Sequence, residues 1–271
     1  RRQRQMCKET AAIFYRTDKF DIIEKGDFWL SETPDVPSKG WDAVLPRICS
    51  WGHFKCKDTG FEFLFFNLHM DHIGKKARVE SAFLVQDKMK ELGKGKNLPA
   101  ILTGDFNVDQ THQSYDAFVS KGVLCDSYEK CDFRYATNGT FNDFDPNSFT
   151  ESRIDHVFVS PSFHVKRYGV LTDTYRSIVG NGEKKNANDC PEEIDIKVYQ
   201  ARTPSDHFPV KVELEFDQIG RNNPFSKQTE SFTTQPDIRM KNICILVCML
   251  FSLASATGKT PKNNRYLSIA D

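Results

Sequence analysis

A short apolar run that ends in a glycine and two polar side chains constrains the fold of this chain more than any other stretch. Residues 98–102 are apolar throughout, a pattern typical of a β-strand that is buried on both faces. Gly104 is predicted to stop this strand, which places Asp105 and Asn107 on one side of the chain at its carboxyl end. Open sheets often carry their chemistry at such strand ends, although Asp and Asn also form ordinary turns. The tip is therefore a candidate site that needs partners elsewhere in the sequence.

The periodicity of the remaining sequence predicts a mixed α/β fold. Apolar residues recur at helical spacing over 75–92, and Gly93 is expected to end that helix. A shorter helical pattern runs through 115–119, and 133–152 is predicted to be a long loop. Strands outnumber helices, which favours mixed sheets covered by helices. Strand patterns occupy residues 11–16, 20–30 with a turn at Gly26, 48–54, 61–69, 154–159, 165–171 and 210–216.

The composition divides the chain into four parts. Residues 1–10 are predicted to be an irregular N-terminus, 11–217 the folded domain and 218–239 a polar linker. Residues 240–271 begin with Met and Lys and contain an apolar run over 243–256 that ends in Ala-Ser-Ala, the layout of a secretory signal peptide. We interpret this part as a second reading frame joined in-line, with a C-terminal anchor as the alternative. The run is shorter than the about 20 residues of a membrane span, so membrane contact is expected only through 243–256.

Charge and cysteine content narrow the function only slightly. The 37 basic and 37 acidic residues cancel, so the chain lacks the bulk positive field of a non-specific nucleic-acid binder. A phosphate-bearing substrate would have to be attracted by a local site or by a metal ion. The eight Cys show no Cys-x-x-Cys spacing, and we interpret them as thiols, with a disulfide between Cys125 and Cys131 as the alternative. The first residues do not have the pattern of a signal peptide, which favours a cytoplasmic location.

Polar motifs near the ends of further predicted strands supply candidate partners for the Asp105 tip. Asn67 and His69 close the 61–69 pattern, and Asp155 lies in Ser-Arg-Ile-Asp-His. His207 and the residue before it lie in Ser-Asp-His-Phe-Pro. Taken singly, each motif has a structural explanation, namely a polar surface turn, a satisfied buried carboxylate, or a loop in which Pro restricts the backbone. Taken together and in order, they are far more specific.

The ordered motifs resemble the endonuclease/exonuclease/phosphatase superfamily, the deoxyribonuclease I-like phosphoesterases, over residues 11–216. Phe-Trp-Leu-Ser-Glu-Thr-Pro at 28–34 and Gly-Trp-Asp at 40–42 further resemble a bacterial branch that is itself similar to the deadenylase-like members. The resemblance implies a four-layer α/β sandwich, with two mixed β-sheets packed face to face and helices outside. Family members carry an early Asn and a metal-binding Glu that nothing in 1–10 matches. The N-terminal part of the domain, with the principal metal carboxylate, is therefore expected to be missing.

The resemblance also implies a role for each motif residue. Asp105 would orient or deprotonate the attacking water, and His207, fixed by Asp155, would contact the phosphate. His69 would stabilise the oxygen on which negative charge develops, and Asp206 would contribute to a divalent-metal site. The metal is expected to be Mg²⁺, with Mn²⁺ as the alternative. Substrate contacts are expected from Asn67, Asn107 and Phe141, of which Asn107 would also bind the scissile phosphate and Phe141 is equally explained by packing within its loop.

The predicted function is metal-dependent hydrolysis of phosphodiester bonds by an exonuclease-like nuclease. A phospholipid or a small phosphate ester is the alternative substrate, because the neutral net charge leaves both open. A non-catalytic remnant or interaction module is a further alternative, which the unmatched Glu favours. The expected partner is nucleic acid or another phosphate ester, and no stable protein partner is implied.

Overall fold

The computed structural model describes residues 11–120, 122–180, 198–216 and 243–247. They form a mixed α+β fold, as predicted. The strands are β1 (Phe20–Trp29), β2 (Ile48–Cys56), β3 (Glu62–His69), β4 (Ala100–Asp105), β5 (Cys125–Asp126), β6 (Phe133–Tyr135), β7 (Asp155–Val159), β8 (Phe163–Val170), β9 (Tyr175–Ile178), β10 (Tyr199–Arg202), β11 (Val210–Phe216) and β12 (Ile243–Val247). The helices are α1 (Lys75–Leu92), α2 (Gln113–Val119) and α3 (Ser127–Lys130).

Two mixed sheets carry the fold. The first has six strands in the order β1-β2-β3-β4-β7-β5, antiparallel except where β4 runs parallel to β3. The second has four strands in the order β12-β11-β8-β6, and β6 runs parallel to β8. A separate ribbon pairs β9 with β10. The predicted presence of mixed sheets is therefore confirmed.

The two large sheets pack face to face through a core rich in aromatic and β-branched side chains. Phe63 and Ile101 from the first sheet and Val210 and Phe216 from the second are all buried in this one cluster. The ring of Phe61, next to β3, stacks on Phe216 with the centroids 3.8 Å apart. Burial of rings and branched side chains from both sheets removes a large apolar area from water, which stabilises the sandwich.

Helices α1 and α2 cover the other face of the first sheet. Val85 of α1 and Phe118 of α2 are buried in a second cluster with Leu102 and Phe158. Gly74, which precedes α1, supplies no side-chain cap, and the carboxylate of Asp42 instead accepts two N–H groups of the first turn. Since unpaired N–H groups at a helix start need acceptors, this distant Asp stabilises the helix that covers the sheet.

Three local predictions are wrong. Residues 11–16 do not form a strand: Phe14 is 82% exposed, and no ladder of the described residues includes this segment. Gly26 does not turn the chain but lies inside β1, opposite Trp51, whose ring would approach an added Cβ to 3.0 Å. Residues 133–152 are not loop throughout, because they begin with β6. For Gly26 and for β6, a partner strand distant in the sequence decides the local structure.

The ends of the chain are described only in part. Residues 1–10, the linker 218–239 and most of 240–271 lie outside the described residues. Within the signal-peptide-like segment, 243–247 form β12, which pairs antiparallel with β11. Among the described helices, none is long and apolar enough to cross a bilayer. Cys125 and Cys131 are free thiols, so the disulfide alternative is wrong.

We predict that Phe158→Ala destabilises the protein by about 3–5 kcal/mol, because the ring is fully buried between the first sheet and the helices. Phe149→Ala is the matched control, since that ring is 69% exposed, and its effect should lie within about 0.5 kcal/mol. Urea unfolding followed by circular dichroism measures both. Equal destabilisation by the two variants would contradict the assigned core.

Candidate active site

Three of the predicted site residues lie in one row across the first sheet. In the parallel ladder of β3 and β4, His69 is the partner of Asp105. In the antiparallel ladder of β4 and β7, Asp105 is the partner of Asp155. Because partner residues in neighbouring strands lie side by side, the register alone brings one imidazole and two carboxylates together at this end of the strands.

Gly104 makes this row possible. Its φ of +148° disfavours other residues, and an added Cβ would lie 2.0 Å from the carbonyl oxygen of Leu68 in β3. Glycine therefore lets β4 continue beside β3 as far as Asp105. The prediction that Gly104 stops the strand is wrong, and the reason is a close approach of backbone that the sequence does not display.

His207 completes the cluster from the second sheet, in the loop before β11. Its Nδ1 lies 2.8 Å from Oδ2 of Asp155, a hydrogen bond. Its Nε2 lies 3.8 Å from Oδ2 of Asp105, and Nε2 of His69 lies 3.4 Å from the same oxygen. Four residues predicted from separate motifs thus converge on one point between the ends of the two sheets.

Burial and mutual charge perturb this cluster strongly. Burial, followed by the negative charge of Asp155, raises the pKa of Asp105 to about 7. Burial opposes protonation of His207, but the hydrogen bond to Asp155 and its charge outweigh burial and raise the pKa of His207 to about 8. Burial, and then the positive charges of Arg47 and His207, lower the pKa of His69 to about 3. At neutral pH the cluster therefore holds a charged His207 and a neutral His69.

Asn107 does not extend the strand tip as predicted. Its backbone is left-handed, with φ of +51°, and its N–H donates to Oδ1 of Asp105 at 2.8 Å. Its Nδ2 donates to the carbonyl of Met70 at 2.9 Å. Asp105 and Asn107 therefore form a turn closed by the Asp side chain, which fixes the rotamer of the carboxylate in the cluster.

The other predicted residues surround this cluster in different ways. Asn67 is held by two hydrogen bonds, from Thr103 Oγ1 and to the carbonyl of Ala12. Phe141 is 41% exposed, and its ring centroid lies 5.2 Å from that of His207. Asp206 precedes His207 and is partly buried. The roles assigned to these three residues remain predictions.

The donor chemistry of the cluster suits a hard divalent cation in part. No group of three His, Cys, Asp or Glu side chains among the described residues could alone hold a metal ion. However, the raised pKa of Asp105 beside Asp155 reflects two carboxylates that repel one another in a buried place, which a bound cation would relieve. Mg²⁺ retains several waters and needs only one or two protein carboxylates beside the substrate phosphate. The residues present therefore fit part of a magnesium shell.

Sequence reasoning missed the support provided by Asp71. Its carboxylate is buried and accepts backbone N–H bonds from residues 44, 45, 73 and 74, and Arg47 Nε lies 3.6 Å away. Burial would raise the pKa of Asp71, but these backbone bonds together hold it well below its usual range. The carboxylate thereby fixes the turn that follows His69. The sequence carries only a weak signal for this role of Asp71, because two of the four N–H groups that it accepts lie 26 and 27 residues upstream.

The chain belongs to a superfamily of phosphoesterases. The sequence pattern of the endonuclease/exonuclease/phosphatase family matches residues 13–207, more than half of the chain, and the chain belongs to this family. The structure of a mannosyl-6-phosphatase from Bacteroides thetaiotaomicron VPI-5482 aligns with a TM-score of 0.67 and 85% identity, covering 74% of this chain and 69% of that one.

Two curated relatives are more distant. An uncharacterised protein of Acanthamoeba polyphaga mimivirus is 32% identical over 194 residues, which are 69% of this chain and 63% of that protein. The Ccr4 3'-5'-exoribonuclease subunit of the CCR4-Not complex of Debaryomyces hansenii is 23% identical over 241 residues, 78% of this chain and 28% of that protein. The chain thus spans less than two thirds of the length of either relative.

We predict that the metal-free protein loses stability between about pH 4 and pH 8 relative to its Asp105→Asn variant. A carboxyl group whose pKa is raised on folding binds its proton more tightly in the folded state. Its stabilising contribution is therefore complete below the unfolded pKa and lost as the pH rises through about 7. Urea unfolding in EDTA at several pH values measures the difference. Asp87→Asn, on the exposed side of α1, is the control, and an identical pH profile for wild type and Asp105→Asn would contradict the assignment.

Proposed function

We propose that this protein is a metal-dependent phosphatase that hydrolyses a sugar phosphate of the mannose 6-phosphate type. The observation that carries the phosphoester chemistry is the cluster in which His207 bonds to Asp155 and faces Asp105. The substrate class is supported by the relative that is 85% identical over 74% of the chain. This is the small phosphate ester that the sequence left as an alternative to a nucleic acid.

The perturbed pKa values suggest how the side chains divide the work. Asp105, with a pKa near 7, is suited to accept a proton from the attacking water at neutral pH. His207, charged and held through Nδ1 by Asp155, presents Nε2–H to a phosphoryl oxygen. Neutral His69 lies within 3.4 Å of Asp105 and can donate to the oxygen that gains negative charge. The charged His207 and the neutral His69 are thus in the protonation states that these roles require, and Asp105 can exchange a proton near neutral pH.

A divalent cation would complete the site. Asp206 is the carboxylate that we propose to hold it. When bound, such a cation neutralises charge on the phosphate and polarises its oxygens. The protein residues orient the ester and move the proton.

A nucleic-acid substrate is the second candidate. It is supported by the Ccr4 relative, an exoribonuclease subunit, which aligns with 78% of the chain at 23% identity. The neutral net charge leaves both substrates open, and the 85% identity with the mannosyl-6-phosphatase favours the smaller one. A non-catalytic remnant or interaction module is the third candidate.

We predict that the protein with Mg²⁺ releases phosphate from mannose 6-phosphate faster than it degrades oligonucleotides, inositol phosphates or sphingomyelin. The Bacteroides thetaiotaomicron mannosyl-6-phosphatase is the positive control under the same conditions. Preferential cleavage of the oligonucleotide would favour the second candidate. Activity of the control alone would leave the non-catalytic alternative.

We predict that His207→Ala and Asp105→Ala each lower kcat by about 10²-fold or more, as expected when a group acting on the transferred phosphate is removed. His164→Ala is the matched control, because His164 lies on β8, 48% exposed, at the opposite end of the sandwich. EDTA should abolish turnover and Mg²⁺ restore it. Calorimetric titration with Mg²⁺ should show weaker binding by Asp206→Ala. Wild-type turnover in both His207→Ala and Asp105→Ala would refute the proposed mechanism.

A further inference from the structure

Thr140 is a fully buried residue of the long loop that contacts the chain next to Asp155. Its side-chain oxygen accepts the N–H groups of Ile154 at 2.9 Å and of Asp155 at 3.1 Å. These N–H groups lie where β7 begins. The hydroxyl therefore fixes the backbone from which the Asp155 carboxylate projects.

The backbone of the same residue contacts the chain next to His207. The carbonyl oxygen of Thr140 accepts the N–H of Phe208 at 2.7 Å. The next residue, Phe141, forms an isolated antiparallel bridge with His207. One residue thus holds the chain on both sides of the hydrogen bond between His207 and Asp155.

Further contacts hold Thr140 itself in place. Its N–H donates to the carbonyl of Ser152, and Gly139 N–H donates to the carbonyl of Thr150 at 2.6 Å. A Cβ on Gly139 would lie 2.1 Å from the Ser152 oxygen, so only glycine permits this approach. On the other side, Asn142 N–H donates to the carbonyl of the residue before His207 at 2.8 Å. The segment 139–142 is therefore hydrogen-bonded both to residues 150–152, before Asp155, and to residues 206–208, around His207.

We infer that Thr140 is a positioning residue that sets the hydrogen bond between His207 and Asp155. Asp155 begins β7 in the first sheet, whereas His207 precedes β11 in the second, so no shared ladder fixes their separation. The hydrogen bonds of the Thr140 hydroxyl and carbonyl connect the two segments instead. The inference rests on the proposed function only in taking this hydrogen bond to be used in hydrolysis.

The test compares variants that differ in one hydroxyl group. Thr140→Val keeps the shape and removes the acceptor, whereas Thr140→Ser keeps the acceptor. Ser160→Ala is the matched control, because Ser160 Oγ accepts a backbone N–H from Ala100 at 2.8 Å at the opposite end of β7. It deletes the same kind of bond away from the site. Should Thr140→Val fail to fold, Thr140→Ala removes the same oxygen with less bulk and is measured at low temperature.

Two readouts are taken on the full chain. The first is the far-downfield proton NMR signal of His207 Nδ1–H, assigned by its loss in His207→Gln. The second is phosphate release, with kcat and KM determined separately. In Thr140→Val we expect the signal to shift or vanish and kcat to fall about tenfold or more with a smaller change in KM, as when geometry rather than binding is lost. Thr140→Ser and Ser160→Ala should keep both near wild type.

The outcomes separate the inference from the function. An unchanged signal and kcat in Thr140→Val would overturn the inference while leaving the proposed phosphatase intact. Equal losses in Thr140→Val and Ser160→Ala would also overturn it, because general destabilisation would then explain them. A signal that depends on Thr140, in a protein that hydrolyses none of the phosphate esters, would support the inference and refute the proposed function.

Discussion

The hydrogen bond between His207 and Asp155 is the interaction on which the rest of the site depends, because it joins the two sheets where the clustered side chains meet. The apolar core between the sheets holds them together but is non-directional, so it sets their spacing only approximately. A hydrogen bond of 2.8 Å between a ring nitrogen and a carboxylate oxygen sets it to a fraction of an ångström. Ladder register then extends that precision from Asp155 to Asp105 and His69.

This arrangement costs stability. Asp105 and Asp155 are both buried and lie side by side in neighbouring strands, a placement that the raised pKa of Asp105 reports as unfavourable for two negative charges. The charge of His207, the N–H of Asn107 and the charge of Arg47 offset part of this cost. The two apolar cores supply the opposing free energy. Unfavourable electrostatics at one end of a well-packed sandwich is typical of functional sites.

The parts of this structure that could be predicted from sequence are those that local periodicity or motif order determines. Helix α1 has the predicted bounds of 75–92, because its apolar face recurs at helical spacing for five turns. The order of the motifs likewise predicted the family, and it predicted that Asp105, Asp155 and His207 belong to one site. The errors at Gly26 and Gly104 share one cause: a glycine that marks a turn and one that admits a close neighbour look alike in sequence. The neighbours, Trp51 and the Leu68 carbonyl, lie in other strands.

The same reasoning explains why Thr140 and Asp71 were not predicted. Each accepts backbone N–H groups from segments remote in the sequence, and such bonds leave no local pattern.

The position of Thr140 also bears on substrate choice. In the proposed mechanism the cluster contacts only the phosphate, so the remainder of the substrate must be recognised by surrounding loops. Phe141, exposed beside His207, directly follows Thr140 in the chain. The proposed substrate contact at Phe141 and the inferred positioning by Thr140 therefore involve adjacent residues of one loop.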